Sequence, residues 1–194
     1  MKIGIAGSTS TIALEFCGLL SDQHGVFAAT LAGLPLDLDR YLICTGYLAG
    51  RSLEEISPVE AAQTWHLNFL SVARFCDRVF EANRTARICV MGSESGFAGS
   101  YDMAYAGAKA ALHLYVERKA LGPEQMLVAL APHIIWDSGM TQRRGTISLE
   151  PLEARGRENR LGRWLNAREV AVEAHHLLFG ASLAMSGQVI RMRP

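Results

Sequence analysis

The chain has 194 residues, of which 49% are apolar, and equal numbers of basic and acidic residues, 19 of each. This length suits one folded domain with one substantial core, and the zero net charge provides no basic field to attract nucleic acid or an anionic membrane surface. No apolar run approaches the roughly 18 residues that span a bilayer. The apolar run at the N-terminus is short and is soon interrupted by glycine, which is typical of a buried strand and not of a signal peptide. We therefore expect no nucleic-acid or membrane partner and a cytoplasmic location.

The first part of the chain shows a strand, a helix and further strands in succession. An apolar run at 2–6 predicts a buried strand, and a turn of small residues leads into a predicted helix at 12–20. A weaker strand pattern lies at 26–31, and a second clear apolar run at 39–45 predicts another buried strand.

A well-marked helix start follows at Ser57. Ser57 can cap the helix, Pro58 suits the first helical position, and Glu60 completes a capping box, so we predict a helix to about residue 81. An apolar run at 86–91 predicts the next buried strand, which enters a loop rich in glycine and serine.

The second half of the chain continues this alternation. Its predicted elements are a helix at 102–119, a strand at 125–130 ended by Pro132, a helix from Asn166 to 178 with Glu169 as capping partner, and a last strand at 187–192. The polar segment 137–163 is predicted to be irregular, and it could form a flexible lid.

Alternating strands and helices predict an α/β fold. We expect a Rossmann-like, doubly wound, mostly parallel sheet in a single domain over residues 1–194. Ligands of such sheets bind beyond the carboxyl ends of the strands. The turns after Ala6, Thr45, Met91 and Leu130 are therefore expected to share one face.

Four cysteines and a pair of histidines were considered as metal ligands. Cys17, Cys44, Cys76 and Cys89 match no zinc spacing, and each lies in an apolar segment, where a buried free thiol is the usual role. The pair at 175–176 is predicted to place one histidine in the core and one on the surface, because adjacent helical positions point about 100° apart. We predict no metal site and a reducing compartment.

Tyr105 and Lys109 are the first candidates for chemistry, because they lie four positions apart on one face of a predicted helix. A neighbouring ammonium favours the phenolate, so such a tyrosine could exchange a proton with a carbonyl or alcohol oxygen near neutral pH. Ser93, at the end of the preceding strand, could hydrogen-bond the same oxygen. Asn68, in the middle of a predicted helix, could hold a water or a backbone carbonyl in a proton path.

Each of these residues also has an ordinary structural interpretation. An isolated Tyr-x-x-x-Lys pair is more often a solvated helix face, and an isolated serine is more often a turn residue. A buried asparagine can be satisfied locally. The order of the elements is more specific than any single residue: a strand, Ser93, a loop of small residues, Tyr105 and Lys109, then a strand and Pro132.

The stretch ICVMGSESGFAGSYDMAYAGAKAAL resembles the catalytic segment of the short-chain dehydrogenases/reductases. Ser93 begins a Ser-x-x-Gly motif and Tyr105 a Tyr-x-x-x-Lys motif, while WHLNFLSVARF resembles the helix that carries the family's catalytic asparagine, here Asn68. LVALAPHII and NAREVAVEAHHLLFGASLAMSGQVI resemble the strand near the nicotinamide and the C-terminal helix and strand. The resemblance covers most of the chain after Asp39.

This resemblance implies an NAD(P)-dependent oxidoreductase that transfers hydride between nicotinamide and a small carbonyl or alcohol substrate. It implies Asn68, Ser93, Tyr105 and Lys109 as catalytic residues, with Tyr105 as acid/base and Lys109 also on the nicotinamide ribose. The residues that it places at the NAD or NADP site are Gly7, Ser8, Thr9, Ser10, Ile12, Gly46, Tyr105, Lys109, Pro132 and Ile135. The choice between NAD and NADP stays open.

The cofactor half departs from the family pattern. The family's first turn is usually Thr-Gly-x-x-x-Gly-x-Gly, whereas AGSTSTIA keeps Gly7 and has Thr11 and Ala13 where the later glycines are expected. Glycine at these positions lets the backbone approach the pyrophosphate of the cofactor closely. Thr11 and Ala13 narrow that approach, so cofactor binding could be weakened or altered. In the family's Asn-Asn-Ala-Gly motif, only Gly46 survives.

The chain between Gly7 and Gly46 is also short, at 39 positions. The family fits another strand–helix unit there, so we expect a βα unit near the adenosine pocket to be missing or shrunken. Asp37 and Asp39 are candidates for contact with the ribose or adenine, although a connecting role is favoured for them, and Arg40 is an equal candidate for binding a phosphate.

Two functions therefore stay open. One is an active NAD(P)-dependent reductase or dehydrogenase. The other is a catalytically degenerate subunit that binds or scaffolds an active homologue.

Family members commonly pair through the helices that carry the asparagine and the tyrosine. The apolar residues on those helices are Phe69, Val72, Phe75, Leu112 and Tyr115, which suggest a homodimer or homotetramer although such spacing is usually core.

The substrate itself is not predicted. An apolar pocket lined by Leu48, Phe97, Trp136 and Met140 is one expectation, and a lid over 139–163, rich in arginine and glutamate, that accepts an anionic or sugar-like group is another.

Overall fold

Six strands of the computed structural model, which describes residues 1–142 and 149–194, form one parallel sheet. They are β1 Lys2–Ala6, β2 Gly25–Ala29, β3 Arg40–Ile43, β4 Arg87–Met91, β5 Met126–Pro132 and β6 Val189–Met192. Their order is β2-β1-β3-β4-β5-β6, so the direction of winding reverses between β1 and β3. The predicted doubly wound α/β sheet is confirmed, and the weaker strand pattern near 26–31 is present as β2.

Helices cover both faces of this sheet. They are α1 Thr11–Cys17, α2 Pro58–Trp65, α3 Ser71–Ala82, α4 Ser95–Ala98, α5 Met103–Arg118, α6 Gly139–Gln142, α7 Leu149–Arg157 and α8 Ala167–Phe179. A π-helical turn, His66–Leu70, joins α2 to α3. Of the helices that the structure describes, none combines the length and the apolar character that crossing a bilayer requires.

The core lies in two layers because the central strands are buried on both faces. All seven residues of β5 are buried. Val128 and Leu130 face the layer formed with α1 and α8, whereas Leu127 and Ala129 face the layer formed with α3 and α5. This continuous burial is typical of a parallel sheet between helices, and it explains why the strands read as uninterrupted apolar runs.

Both predicted capping boxes are present. The Ser57 hydroxyl accepts from the Glu60 backbone N–H, and the Glu60 carboxylate accepts from the Ser57 N–H. Asn166 and Glu169 make the same reciprocal pair at the start of α8. These caps satisfy backbone donors that the first helical turn leaves free, so the two helix starts were predictable from local chemistry.

The predicted loss of a βα unit is confirmed between β2 and β3. Residues 30–39 connect these strands without a helix or a strand, and Leu34 and Leu38 bury their side chains in the core. β2 is consequently an edge strand, in which Val26 and Phe27 are 44% and 40% exposed.

The segment 137–163 is more regular than predicted. It contains α6 and α7, and residues 143–148 of the predicted lid lie outside the described part of the chain. The Trp164 indole N–H donates to the carbonyl of Leu152 at 2.7 Å, and Gly156 lies directly against the same indole. The prediction of an irregular segment was wrong because this tertiary contact supports α7, which carries little apolar periodicity of its own.

Arg40 does not lie where a cofactor phosphate would bind. It begins β3, at the amino end of the sheet, and its guanidinium donates to the carbonyl of Leu178 at 2.9 Å. Arg87 similarly donates to Ala181, so both arginines satisfy carbonyls at the end of α8. Asp39 accepts from the Lys2 N–H at this same end, which favours its connecting role.

All four cysteines are free thiols, although their burial differs from the prediction. Cys76 and Cys89 are buried, Cys44 is half-buried and Cys17 is exposed, because Cys17 ends α1 on its solvent side.

The described side chains form no cluster of three or more His, Cys, Asp or Glu that could hold a metal ion. His176 is exposed, as the helical spacing predicted, whereas His175 is half-buried at the edge of the core, where it stacks on Phe179 with ring centroids 4.5 Å apart.

Candidate active site

The site is built where the carboxyl ends of the central strands meet the start of α5. Asp102 caps α5, and its buried carboxylate accepts from the Tyr105 N–H and from the Gly50 N–H, both at 2.9 Å. This one side chain therefore joins the loop after β3 to the helix that carries Tyr105. The sequence analysis did not assign Asp102 this role, although an acidic residue directly before a helix is an ordinary capping signal.

Lys109 is a buried cation at the end of β4. Its side chain is 2% exposed, and Nζ donates to the carbonyl of Met91 at 2.7 Å. Nζ also lies 5.7 Å from the centroid of the Tyr105 ring, so the predicted pair shares one helix face. Burial lowers the pKa of Lys109 to about 8.

Asn68 holds the loop that follows β3. Its Nδ2 donates to the carbonyls of Tyr47 and Thr64, at 2.7 and 2.8 Å, and its Oδ1 accepts from the Tyr47 N–H at 3.1 Å. Asn68 is fully buried within the π-helical turn, a distortion that is frequent at functional sites. The two carbonyls use both amide hydrogens, so the side chain fixes backbone, as one of the predicted alternatives stated.

Ser93 lies in the segment that follows β4. Its hydroxyl accepts from the Ser95 N–H at 3.2 Å, and its backbone N–H points to Nε2 of His113 at 3.3 Å. The neighbouring Glu94 is buried and pairs with the guanidinium groups of Arg191 and Arg193. Strand β6 is thus fastened to the segment that presents Ser93, a connection that the sequence did not predict.

The predicted cofactor residues lie at the reversal of winding between β1 and β3. Gly7 has φ +74°, and a Cβ there would come within 2.7 Å of the Cys44 carbonyl carbon, so the close approach of the two strand ends requires glycine. Ser8 and Thr9 complete the turn, and Ser10 caps α1, where Ile12 is buried.

The loop after β5 lies against this turn. Pro132 ends β5, Ile135 is buried, and the carbonyl of Asp137 accepts from the Thr11 hydroxyl at 3.3 Å. The structure therefore brings the remaining predicted cofactor segment to the amino end of α1. Thr11, which stands where the family has glycine, makes a contact that glycine could not make.

Gly46 completes the predicted set in front of Lys109. A Cβ on Gly46 would lie 3.2 Å from Oδ1 of Asn68, and 3.9 Å from both Nζ of Lys109 and the methyl carbon of Met140. At this small space the loop after β3 meets side chains of the π-helical turn, of α5 and of α6. Met140, one of the four residues of the predicted apolar pocket, borders this space.

The other predicted pocket residues are dispersed. Phe97 stacks on His113 with ring centroids 4.6 Å apart. Trp136 instead borders a cavity of about 590 Å³ together with Trp164, Arg157 and Arg163. Both arginines are paired with carboxylates, so the anionic or sugar-like group expected under the lid stays a prediction.

The donor set suits the nicotinamide half of a dinucleotide. An ammonium has three N–H groups. In the described part of the chain, one group of Lys109 is accepted by Met91, and the buried amine borders the space at Gly46. The hydroxyl groups of a ribose could accept from the other two N–H groups of the Lys109 ammonium. The adenosine half has less support, because among the residues that the structure describes no strand–helix unit flanks β2, which is followed by Thr30.

Solved structures share this architecture over nearly the whole chain. A short-chain dehydrogenase family protein from Francisella tularensis gives a TM-score of 0.82 at 17% identity, covering 98% of this chain and 96% of that chain. An actinorhodin polyketide ketoreductase solved with NADPH gives 0.82 at 16% identity, covering 99% and 95%. A 3-oxoacyl-(acyl-carrier-protein) reductase from Agrobacterium tumefaciens solved with NADP gives 0.81 at 19% identity, covering 98% and 92%.

The chain has the short-chain dehydrogenase/reductase fold. Its sequence matches no protein-family model and no curated protein. Within the short-chain dehydrogenase/reductase fold, the segments that carry Asn68, Ser93, Tyr105 and Lys109 converge at one edge of the sheet.

Proposed function

We propose that the chain is an NAD(P)-dependent oxidoreductase that interconverts a small carbonyl compound and its alcohol. The observation that supports this most is the buried ammonium of Lys109, held by Met91 one helical turn from Tyr105 at the carboxyl end of the sheet. Burying a cation is costly, so its retention beside a phenol and an open ligand-binding edge favours a catalytic role.

Tyr105 is the proposed acid/base. When bound, the nicotinamide supplies or accepts the hydride. Tyr105 gives its phenolic proton to the carbonyl oxygen in reduction and recovers it in oxidation, while the Lys109 ammonium stabilises the phenolate. Ser93 hydrogen-bonds the same substrate oxygen. Asn68 keeps the Tyr47 backbone in place beside this group.

Replacing Tyr105 by Phe tests this proposal directly. We expect carbonyl reduction with NADH or NADPH to fall by about 10²- to 10⁴-fold, because the acid/base is lost, while cofactor binding by fluorescence titration stays unchanged. Tyr101→Phe is the matched control, since Tyr101 is exposed and its hydroxyl binds Glu55. Equal activity in wild type and Tyr105→Phe would contradict the assignment of Tyr105.

The degenerate subunit is the second candidate function. It is favoured by the glycine-poor first turn, in which Thr11 bonds the loop after β5 and so narrows the approach to α1. A wild-type protein that binds neither NADH nor NADPH and copurifies with an active homologue would favour this function over the enzyme.

We further propose a homodimer or homotetramer that pairs through α2, α3 and α5. Of the five residues on which the expectation first rested, three are core residues and two are half-buried: Val72, Phe75 and Leu112 in the core, Phe69 and Tyr115 half-buried. The same helices and the π-helical turn nevertheless expose large apolar side chains, namely Trp65, Leu70, Met103 and Leu114. The cytoplasmic location stays a prediction.

A further inference from the structure

His113 extends the row of site residues on α5. Tyr105, Lys109 and His113 follow one another at intervals of four, so all three project from one helix face. All three are buried, with exposed fractions of 8%, 2% and 4%. The first two are explained by the proposed chemistry, and the histidine is not.

The imidazole binds the backbone of the residue that presents the proposed catalytic hydroxyl. Its Nε2 lies 3.3 Å from the backbone nitrogen of Ser93, which donates its hydrogen. A neutral imidazole that accepts at Nε2 carries its proton on Nδ1. In the described part of the chain, that Nδ1 is buried without a hydrogen-bond partner.

Two glycines make the slot that receives this ring. A Cβ on Gly92 would come within 2.6 Å of Nε2, and a Cβ on Gly96 within 2.5 Å of the ring carbon Cε1. Phe97 stacks on the ring with an angle of 30° between the planes. The segment 92–97 is therefore shaped around His113 on three sides.

The surroundings keep the ring neutral. Burial above all, together with the charges of Lys109 and Arg191, lowers the pKa of His113 to about 4 against the opposing effect of Glu94. A neutral ring keeps Nε2 available as an acceptor at neutral pH.

We propose that His113 is a positioning residue: it holds the Ser93 backbone so that the Ser93 hydroxyl faces the substrate oxygen beside Tyr105. This inference rests on the proposed oxidoreductase function. Lys109 fixes Met91 and His113 fixes Ser93, so two successive turns of α5 hold the end of β4 in register with Tyr105.

The unpaired Nδ1 distinguishes the proposed positioning of Ser93 from a role in which His113 merely fills space in the core. A buried N–H without a partner destabilises the fold, and an apolar side chain would avoid that cost. Replacing His113 by Leu removes the unpaired group but also leaves the Ser93 N–H without its acceptor. The two effects oppose each other, so thermal stability is expected to change little while catalysis suffers.

The experiment compares His113→Leu with His113→Gln, whose side-chain carbonyl can reach the position of Nε2. In His113→Leu, we expect amide hydrogen exchange at Ser93 to accelerate about five- to tenfold, as for the loss of one hydrogen bond. We expect kcat to fall about 10- to 100-fold through misplacement of Ser93, with cofactor affinity unchanged. His113→Gln should restore much of both, and His176→Leu, at an exposed histidine, should change neither.

Unchanged exchange at Ser93, or an unchanged kcat in His113→Leu, would overturn the proposal. So would a fall in activity that follows a fall in the unfolding temperature and that His113→Gln does not rescue. If the wild type reduces no carbonyl substrate, the proposed function fails. The exchange rate at Ser93 still decides whether His113 holds this segment.

Discussion

At the scale of single residues, the site depends on polar groups that burial changes. Lys109 is the clearest case, because its ammonium is desolvated and held by one carbonyl. Desolvation brings its pKa down to about 8, so the amine begins to lose its charge within the range in which an enzyme is ordinarily assayed. The sequence showed that a lysine lies one helical turn from Tyr105, whereas the burial of that lysine results from the packing of α5 on β4.

We expect cofactor affinity and reduction to fall above pH 8, as the Lys109 amine becomes neutral. The fall should approach about tenfold for each pH unit, the slope for loss of one proton. Titrations with NADH from pH 7 to pH 10 measure this decrease in affinity, and in Lys109→Met the affinity should no longer depend on pH in this range. Affinity that stays constant across this range would contradict the role of Lys109.

The free energy of unfolding should also change as the Lys109 amine loses its proton, but it should rise with pH where cofactor affinity falls. Because the pKa of Lys109 is lowered in the folded state, the unfolded chain holds more protons above pH 8, so deprotonation favours folding there. Buried cysteines, whose pKa is raised, act in the other direction. The difference in free energy of unfolding between wild type and Lys109→Met isolates the lysine, and it should increase in favour of wild type from pH 8 upward.

At the scale of elements, the half of the chain with the proposed cofactor site differs from the half with the proposed catalytic residues. The helices that carry the proposed catalytic residues are supported by strong local signals, such as the Ser57 capping box and the Asp102 cap. In residues 1–142 and 149–194, the adenosine side consists of β2, an edge strand that ends before Thr30, and a connection over 30–39 that packs against the core. Discrimination between NAD and NADP usually needs an acidic side chain for the ribose hydroxyl or an arginine for the phosphate.

We therefore propose that the site discriminates weakly between NADH and NADPH. Their dissociation constants should agree within about tenfold, which corresponds to about 1.4 kcal/mol. Calorimetric titration of both cofactors measures this, and Thr30→Asp should shift the preference toward NADH because a carboxylate repels the 2′-phosphate. A wild-type preference above about a hundredfold for either cofactor would contradict weak discrimination.

At the scale of the whole molecule, α2 and α5 expose large apolar side chains that a second subunit could cover. Trp65, at the end of α2, is 39% exposed, and Leu114 is 56% exposed on α5, whose opposite side is core. Apolar side chains on an accessible face favour burial between subunits, and closed symmetric oligomers are the usual result.

We expect a dimer or tetramer in analytical ultracentrifugation, and Leu114→Glu should shift it toward monomer because it places charge in the interface. Glu117→Lys, one turn further along the exposed side of α5, serves as a charge-changing control. A wild-type monomer at micromolar concentration would reject this pairing.

The sequence by itself determined the six strands, the long helices and their order, because buried parallel strands, capping boxes and turn glycines leave local signatures. The shortened connection between Gly7 and Gly46 was evident in the same way, from the number of residues alone. Even Tyr105 and Lys109 could be paired from helical spacing, without knowledge of what surrounds them.

Only the tertiary structure decided which polar groups meet. Arg40 lies at the amino end of the sheet, where it donates to the carbonyl of Leu178, 138 positions away. Trp164 supports α7, a helix that its own sequence predicts poorly. His113 accepts from Ser93 across 20 positions, and Glu94 is paired by arginines from the last strand. Such contacts depend on burial and long-range geometry, which no local pattern encodes.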